Sequence, residues 1–265
     1  MPITLKANPD GTSGAIQIGG NDAVAFGTQG ITQGAPFSFR NKIINGAFGI
    51  NQRVYVSGAA TTAGQYTLDR WKVTGTGGIT FSTVNNKTTV TIPAGQTLQQ
   101  VIEGLNLATG DYVLSWEGTA QGRIGAGSYG ASGSVKASIT GGANTTIEFN
   151  SGTVANVQLE AGSIATPFEH RPYGTELALC QRYYEVGVAF NARQYGATSE
   201  IVIAPAAFKV EKRSAPTIGF TSTSFNNASG LSAVNASVSG FGARWSVTSG
   251  GQSELITGWA ATSEL

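Results

Sequence analysis

Along most of this chain apolar and polar residues alternate one by one, the period of a strand with one buried and one wet face. Gly78 to Val84 alternates, Asn85-Asn86-Lys87 turns, and Thr88 to Ile92 alternates again until Pro93 stops it. Asp111 to Glu117 places Tyr112, Leu114 and Trp116 on one face. The pattern returns at Val135, Ala137 and Ile139, at Thr145 to Phe149, and at Val154 to Leu159. Strands of this kind, punctuated by Gly, Asn and Pro, predict a jelly-roll-like β-sandwich over residues 41–172.

The pattern is weaker on both sides. Residues 1–40 carry short alternating runs, Ile3-Thr4-Leu5 and Ala15 to Ile18, around the turn Asn8-Pro9-Asp10-Gly11, then Ala23 to Phe26 and Gly-rich text to Pro36. They predict small hairpins that gain order from neighbouring chains or a docking partner, because they hold too few apolar residues for a core. Thr175 to Glu185 breaks the alternation and predicts a short helical joint over 173–184. Residues 185–265 form a second, smaller β domain, with strands at Glu200 to Ala204 (ended by Pro205), Phe208 to Val210, Thr217 to Phe220, Val234 to Phe241 and Arg244 to Val247. So few large apolar side chains predict a thin core that benefits from oligomerisation.

Composition sharpens the all-β reading. Of 265 residues 37 are glycine and only 12% are charged, yet 40% are hydrophobic, too many for a disordered chain. A net charge of +1 argues against nucleic acid, whose phosphates demand a basic surface. The single cysteine permits no internal disulfide. No apolar run is long enough to span a bilayer, so membrane insertion is not expected. The opening MPITLKANPDGTSG lacks the apolar stretch of a signal peptide, which leads us to expect synthesis in a cytoplasm.

Catalytic and metal chemistry find little support. His170, the only histidine, lies between Glu169 and Arg171, whose side chains point away from it on an extended chain, and no G-x-S-x-G elbow accompanies it. It reads as a locally bonded junction residue. One His and one Cys (Cys180) make no zinc motif, and the aspartates at 10, 22, 69 and 111 make no calcium loop. Glu117, Glu148 and Glu160 could share a sandwich surface, but no spacing selects the carboxylate pair that glycoside cleavage needs. Gly122 to Gly130 is glycine-rich without the Lys-Ser/Thr of a phosphate loop, and reads as a long sandwich loop. We therefore expect no catalytic residues, cofactor or metal. Carbohydrate contact fits better, since it needs aromatic faces and polar side chains. Trp71 and Trp116 read as core; Trp245 and Trp259, in the thin C-terminal unit, and Tyr129, at the tip of the glycine-rich loop, are the candidate glycan or receptor contacts.

Several motifs resemble one family. They are Asn41 to Phe48 with Asn51-Gln52-Arg53; Tyr66 to Trp71; Gln158 to Gly162, Ala165 to Glu169, Arg171-Pro172-Tyr173 and Glu176-Leu177 to Tyr184; Lys212 to Thr217; and Ser263-Glu264-Leu265. Together they resemble bacteriophage tail-fibre and virion fibre proteins. That resemblance implies a carbohydrate-binding-module-like jelly roll followed by a C-terminal β domain, often trimeric, without catalysis, and attached to other virion proteins through residues 1–40.

The expectation is thus a non-enzymatic structural and adhesive virion protein, a homotrimer contacting host-surface glycans. Its shortness leaves room for a head fibre rather than a tail fibre. A capsid-decoration or tail protein that binds only other virion proteins is one alternative. A virion-associated polysaccharide depolymerase is another.

Overall fold

The structure is a computed structural model that describes residues 3–7, 14–18, 21–27, 30–33 and 39–265. It is all-β apart from one helix and a short 3-10 turn among the described residues. The first strands, β1 (Ile3–Ala7), β2 (Gly14–Ile18), β3 (Asn21–Gly27) and β4 (Gly30–Gln33), form an antiparallel sheet in chain order. They include the short runs expected near the N-terminus; the turn at Asn8 to Gly11 and Pro36 lie outside the described residues.

The described residues divide into two compact units, and the division is not a single cut. One unit holds the described residues up to Phe48 with Val56–Gln65 and Trp71–His170; the other holds Gly49–Tyr55, Tyr66–Arg70 and Arg171–Leu265.

The first unit is a sandwich. Strands β5 (Lys72–Val73), β6 (Thr80–Val84), β7 (Lys87–Ile92), β8 (Leu98–Ile102), β9 (Gly110–Glu117), β10 (Gly122–Ile124), β11 (Val135–Ile139), β12 (Thr145–Phe149) and β13 (Gly152–Ala161) form two sheets, ordered β10-β12-β8-β5 and β11-β9-β13-β7-β6. Rings from both sheets meet between them: Trp116 on β9 meets Phe149 on β12 edge-on at 5.0 Å, and Trp71 lies 4.9 Å from Phe48. Both indoles are buried with their N–H satisfied, Trp71 by the Asn45 carbonyl at 2.9 Å and Trp116 by the Ala120 carbonyl at 3.0 Å, as buried tryptophan requires. Two buried amides stitch the 41–45 segment to this core. Asn41 donates to the Val157 carbonyl and accepts from the amides of Ile43 and Leu159, while Gln100 bonds both backbone groups of Ile44.

The second unit contains helix α1 (Tyr173–Gln181) and strands β14 (Tyr184–Gly196), β15 (Ile201–Ala207), β16 (Thr217–Asn226), β17 (Ala228–Val234), β18 (Gly240–Val247) and β19 (Gly251–Thr262). They make two sheets, β14-β19-β16 and β15-β18-β17. The core is not thin. Trp245, Trp259, Phe241, Leu255 and Val247 are buried, with Phe208 and Phe220 packed against them. Phe241 meets Trp259 edge-on at 5.3 Å, and Phe208 lies 5.6 Å from the same indole. Large rings bury area at low entropic cost, so a few of them suffice where many aliphatics would otherwise be needed.

Some strand boundaries differ from the pattern reading. Strand β15 runs through Pro205 rather than ending there, because among the described residues β15 is an edge strand paired with β18 alone, and an edge tolerates a missing N–H. Residues 235–239, expected inside one strand, instead separate β17 from β18. Phe208 to Val210 forms no strand: Phe208 joins the core as a side chain from irregular backbone.

The second unit is closed by a lock on its last residues. Glu264 takes Arg70 and Arg53 on its carboxylate, Arg53 at 2.7 Å. Tyr66 donates its hydroxyl to the Leu265 carbonyl at 2.6 Å, and burial with the Glu264 charge pushes that phenol up to about 12. The guanidinium groups of Arg53 and Arg70 each lie 3.6 Å from a ring centroid, those of Tyr184 and Tyr183. Arg213 bonds the Ser263 carbonyl at 2.9 Å. Motif residues far apart in sequence thus converge on one buried network, which gives each a structural role.

Candidate functional site

The candidate site is built on the outer face of the β10-β12-β8-β5 sheet. Antiparallel register sets Arg123 on β10 opposite Glu148 on β12, Glu148 opposite Gln99 on β8, and Gln99 opposite Lys72 on β5. One transverse row is therefore polar from edge to edge, while the next row, Ile124, Ile147 and Gln100, turns inward.

The loop after β10 completes the site. Gly122 and Gly130 exchange both backbone hydrogen bonds, at 3.0 and 2.9 Å, closing the loop at its base. A Cβ at Gly122 would sit 2.8 Å from the Phe149 ring and 3.0 Å from Trp116, so only glycine lets β10 lie on those rings. Gly125 donates to the Thr146 carbonyl at 2.7 Å with φ +57. Held in this way, the loop brings Tyr129 back over the sheet.

Tyr129 donates its hydroxyl to Glu148, and the Arg123 guanidinium lies 4.7 Å from the Tyr129 ring centroid. Glu148 is buried and also takes Gln99 Nε2, Arg123 Nη2 at 2.5 Å and Thr97 Oγ1 at 3.3 Å. Burial alone would raise this carboxyl; the hydrogen bonds from Tyr129 and Gln99, with the Arg123 charge, outweigh it and hold Glu148 below the usual range. Tyr129 moves the other way, up to about 12, by burial and by its bond to Glu148, so it remains a donor across physiological pH.

This carboxylate makes stability pH-dependent. A depressed folded value means a contribution fully present above the unfolded value near 4.5 and lost as pH falls through the folded value. The first unit should therefore lose stability below about pH 4.5, and Glu148→Gln should flatten that part of the profile, measured by thermal melting from pH 7 to pH 3.

Beside the row lies a cleft of 510 Å³ lined by Gln99, Arg123, Asn144, Thr145, Thr146 and Glu148 with the backbone of Gly125 and Ala126. On the other flank of the loop a depression of 300 Å³ is lined by Ser128, Tyr129, Ser134 and Lys136. Amide, hydroxyl and guanidinium groups of this kind suit a polyhydroxylated ligand.

The sequence-derived candidates are placed unequally. Tyr129 stands in the site. Trp245 and Trp259 do not offer open ring faces: they are 1% and 7% exposed, and Trp245 Nε1 is spent on Ser253 Oγ at 3.2 Å. Trp259 is accommodated because its strand partner is Gly187, where a Cβ would lie 1.9 Å from the indole. The glycine-rich segment is also not all loop, since residues 122–124 form β10 and carry Arg123, which the sequence reading missed. Its signal was the alternation Gly-Arg-Ile against Ile-Glu-Phe, which puts one charge of opposite sign on each polar face.

The other singled-out residues have separate roles. Glu117 and Glu160 lie on the opposite sheet from Glu148. Glu117 is exposed beside Lys87 and Asn156, whereas Glu160 is buried and bonded to Thr166 and Gln158. Glu169 clamps the chain entering the sandwich, accepting from the amides of Phe39 at 2.5 Å and Asn41 at 2.9 Å. His170 is exposed and packs edge-on against Phe168 at 4.8 Å. Cys180 is fully buried, and burial pushes its thiol well up. No group of three His, Cys, Asp or Glu side chains suited to a metal occurs among the described residues, and none of their helices is long and apolar enough to cross a membrane.

The fold and the site together define the class of an all-β sandwich protein with a polar surface cleft. Comparison with protein-family models, with curated proteins and with solved structures finds no match.

Proposed function

We propose that this chain is a non-enzymatic structural and adhesive protein of a bacteriophage virion, a tail fibre or head fibre, that contacts host-surface glycans through the cleft beside Arg123 and Tyr129. The observation that carries the reading is the prearranged polar row Arg123–Glu148–Gln99, with Tyr129 locked onto it. Binding groups already fixed by one another lose little side-chain entropy when a ligand arrives. The row faces a cleft whose lining matches sugar hydroxyls. The resemblance of Asn41 to Phe48, Tyr66 to Trp71 and the 158–184 stretch to phage fibre proteins supports the virion setting, with a jelly-roll body, residues 1–40 as the attachment segment and a homotrimeric assembly.

A second reading, a capsid or tail component that binds only other virion proteins, draws on a specific feature. Ile201 and Ile203 on edge strand β15 are each 51% exposed, an apolar face of the kind that protein contacts cover. An array of bacterial surface polysaccharides separates the two. Binding supports the adhesive reading, and absence of binding on the whole array supports the second. Release of reducing ends from any bound polysaccharide would overturn the non-enzymatic claim. A monomeric mass at micromolar concentration would overturn the trimer.

A further inference from the structure

We infer that the ligand of this cleft is an acidic glycan, a polysaccharide bearing carboxylates, which runs past the 125–130 loop and meets Arg123 on one flank and Lys136 on the other. The inference rests on the glycan reading above and specifies its chemistry.

The site's only acid is already committed. Glu148 takes hydrogen bonds from Tyr129, Gln99, Arg123 and Thr97, which accounts for the acceptor capacity of a carboxylate. It has no lone pair left to receive a sugar hydroxyl. Arg123 is in the opposite condition. A guanidinium carries about five N–H donors; here Nη2 serves Glu148 and Nε is buried without a partner, while 33% of the side chain stays exposed, so the donors left for a ligand are those at its exposed end. The guanidinium lies 4.7 Å from the Tyr129 ring centroid, and its intrinsic planar fork matches a carboxylate. What the cleft presents to a ligand is therefore surplus cationic donor.

The neighbouring depression repeats the bias. Lys136 is exposed there, with Ser128 and Ser134, and no carboxylate is among its lining residues. The two hollows share one loop, Gly125 and Ala126 lining the first, Gly127 to Gly130 the second. A neutral chain has no use for a cation in each hollow. A polymer with a carboxylate on successive residues satisfies both, with charge-assisted bonds about twice as strong as neutral ones.

The test is titration of the full chain with polygalacturonate and with the same polymer after reduction of its carboxyls to alcohols. The expected result is binding of the acidic form at least about tenfold tighter, weakening with added salt. Lys136→Gln, at an exposed position that leaves the sheet intact, should remove most of that preference without changing the melting temperature. Arg123→Lys, which keeps the charge and loses the fork, should weaken the acidic form alone. Equal affinity for the two polymers would overturn the acidic preference while leaving the glycan reading standing. Binding of neither would overturn the inference, and the polysaccharide array would then decide the glycan reading on its own.

Discussion

Lys212→Ala is expected to destabilise the C-terminal unit by about 3–5 kcal/mol, a large part of what a domain of this size holds in reserve. Lys212 and Glu185 are 0% and 1% exposed and pair at 2.5 Å. The ammonium also donates to the Val210 carbonyl at 2.7 Å and lies 4.6 Å from the Phe208 ring centroid. Burial pulls the lysine below its usual range, against the opposing pull of Glu185. Deleting the lysine strands a buried carboxylate, and that desolvation, rather than the lost attraction, dominates the effect. The double variant Lys212→Met with Glu185→Gln should recover most of the loss. It removes both charges, and glutamine keeps an acceptor for the Lys209 amide, which Glu185 holds at 3.1 Å. Denaturant melts of Lys212→Met, Glu185→Gln and the double variant check this; an additive double variant would refute the stranded-charge explanation.

Gly187→Ala should be nearly as damaging although it adds one carbon. The new Cβ would stand 1.9 to 2.3 Å from three atoms of the Trp259 indole. The ring has nowhere to retreat, since Phe208 and Phe241 pack against it at 5.6 and 5.3 Å. Overpacking of this kind costs about 1–3 kcal/mol, and the rigid indole places it at the upper end. Near-ultraviolet circular dichroism should lose part of the tryptophan signal in step with the fall in melting temperature.

The same Gly187–Trp259 pair shows what the sequence could and could not tell. Alternation located β7, β9, β12 and most of β13, because each has neighbours on a core that rewards one face. It did not locate β14 or β19, whose Gly, Ala, Ser and Thr positions give little contrast between faces. With those strands unassigned, nothing could pair Gly187 with Trp259, and a tryptophan in a sparse segment looked exposed. The cleft was half legible for a similar reason. Tyr129 stood out at a loop tip and Glu148 on a strand, but their meeting depends on register between β10 and β12, 25 residues apart at Arg123 and Glu148, and register lies in no local pattern. The lock on Glu264 is the extreme case, joining Arg70 to the chain end across 194 positions.

The central claim is that the Arg123–Tyr129 cleft is the glycan contact, and the most direct measurement is the polysaccharide array run side by side on the wild-type chain, Arg123→Lys and Lys136→Gln. The account expects the wild type to bind at least one surface polysaccharide, and both variants to lose about tenfold or more in affinity for it, with Lys136→Gln melting as the wild type does. Wild-type binding that both variants retain in full would contradict it, placing the contact elsewhere on the chain.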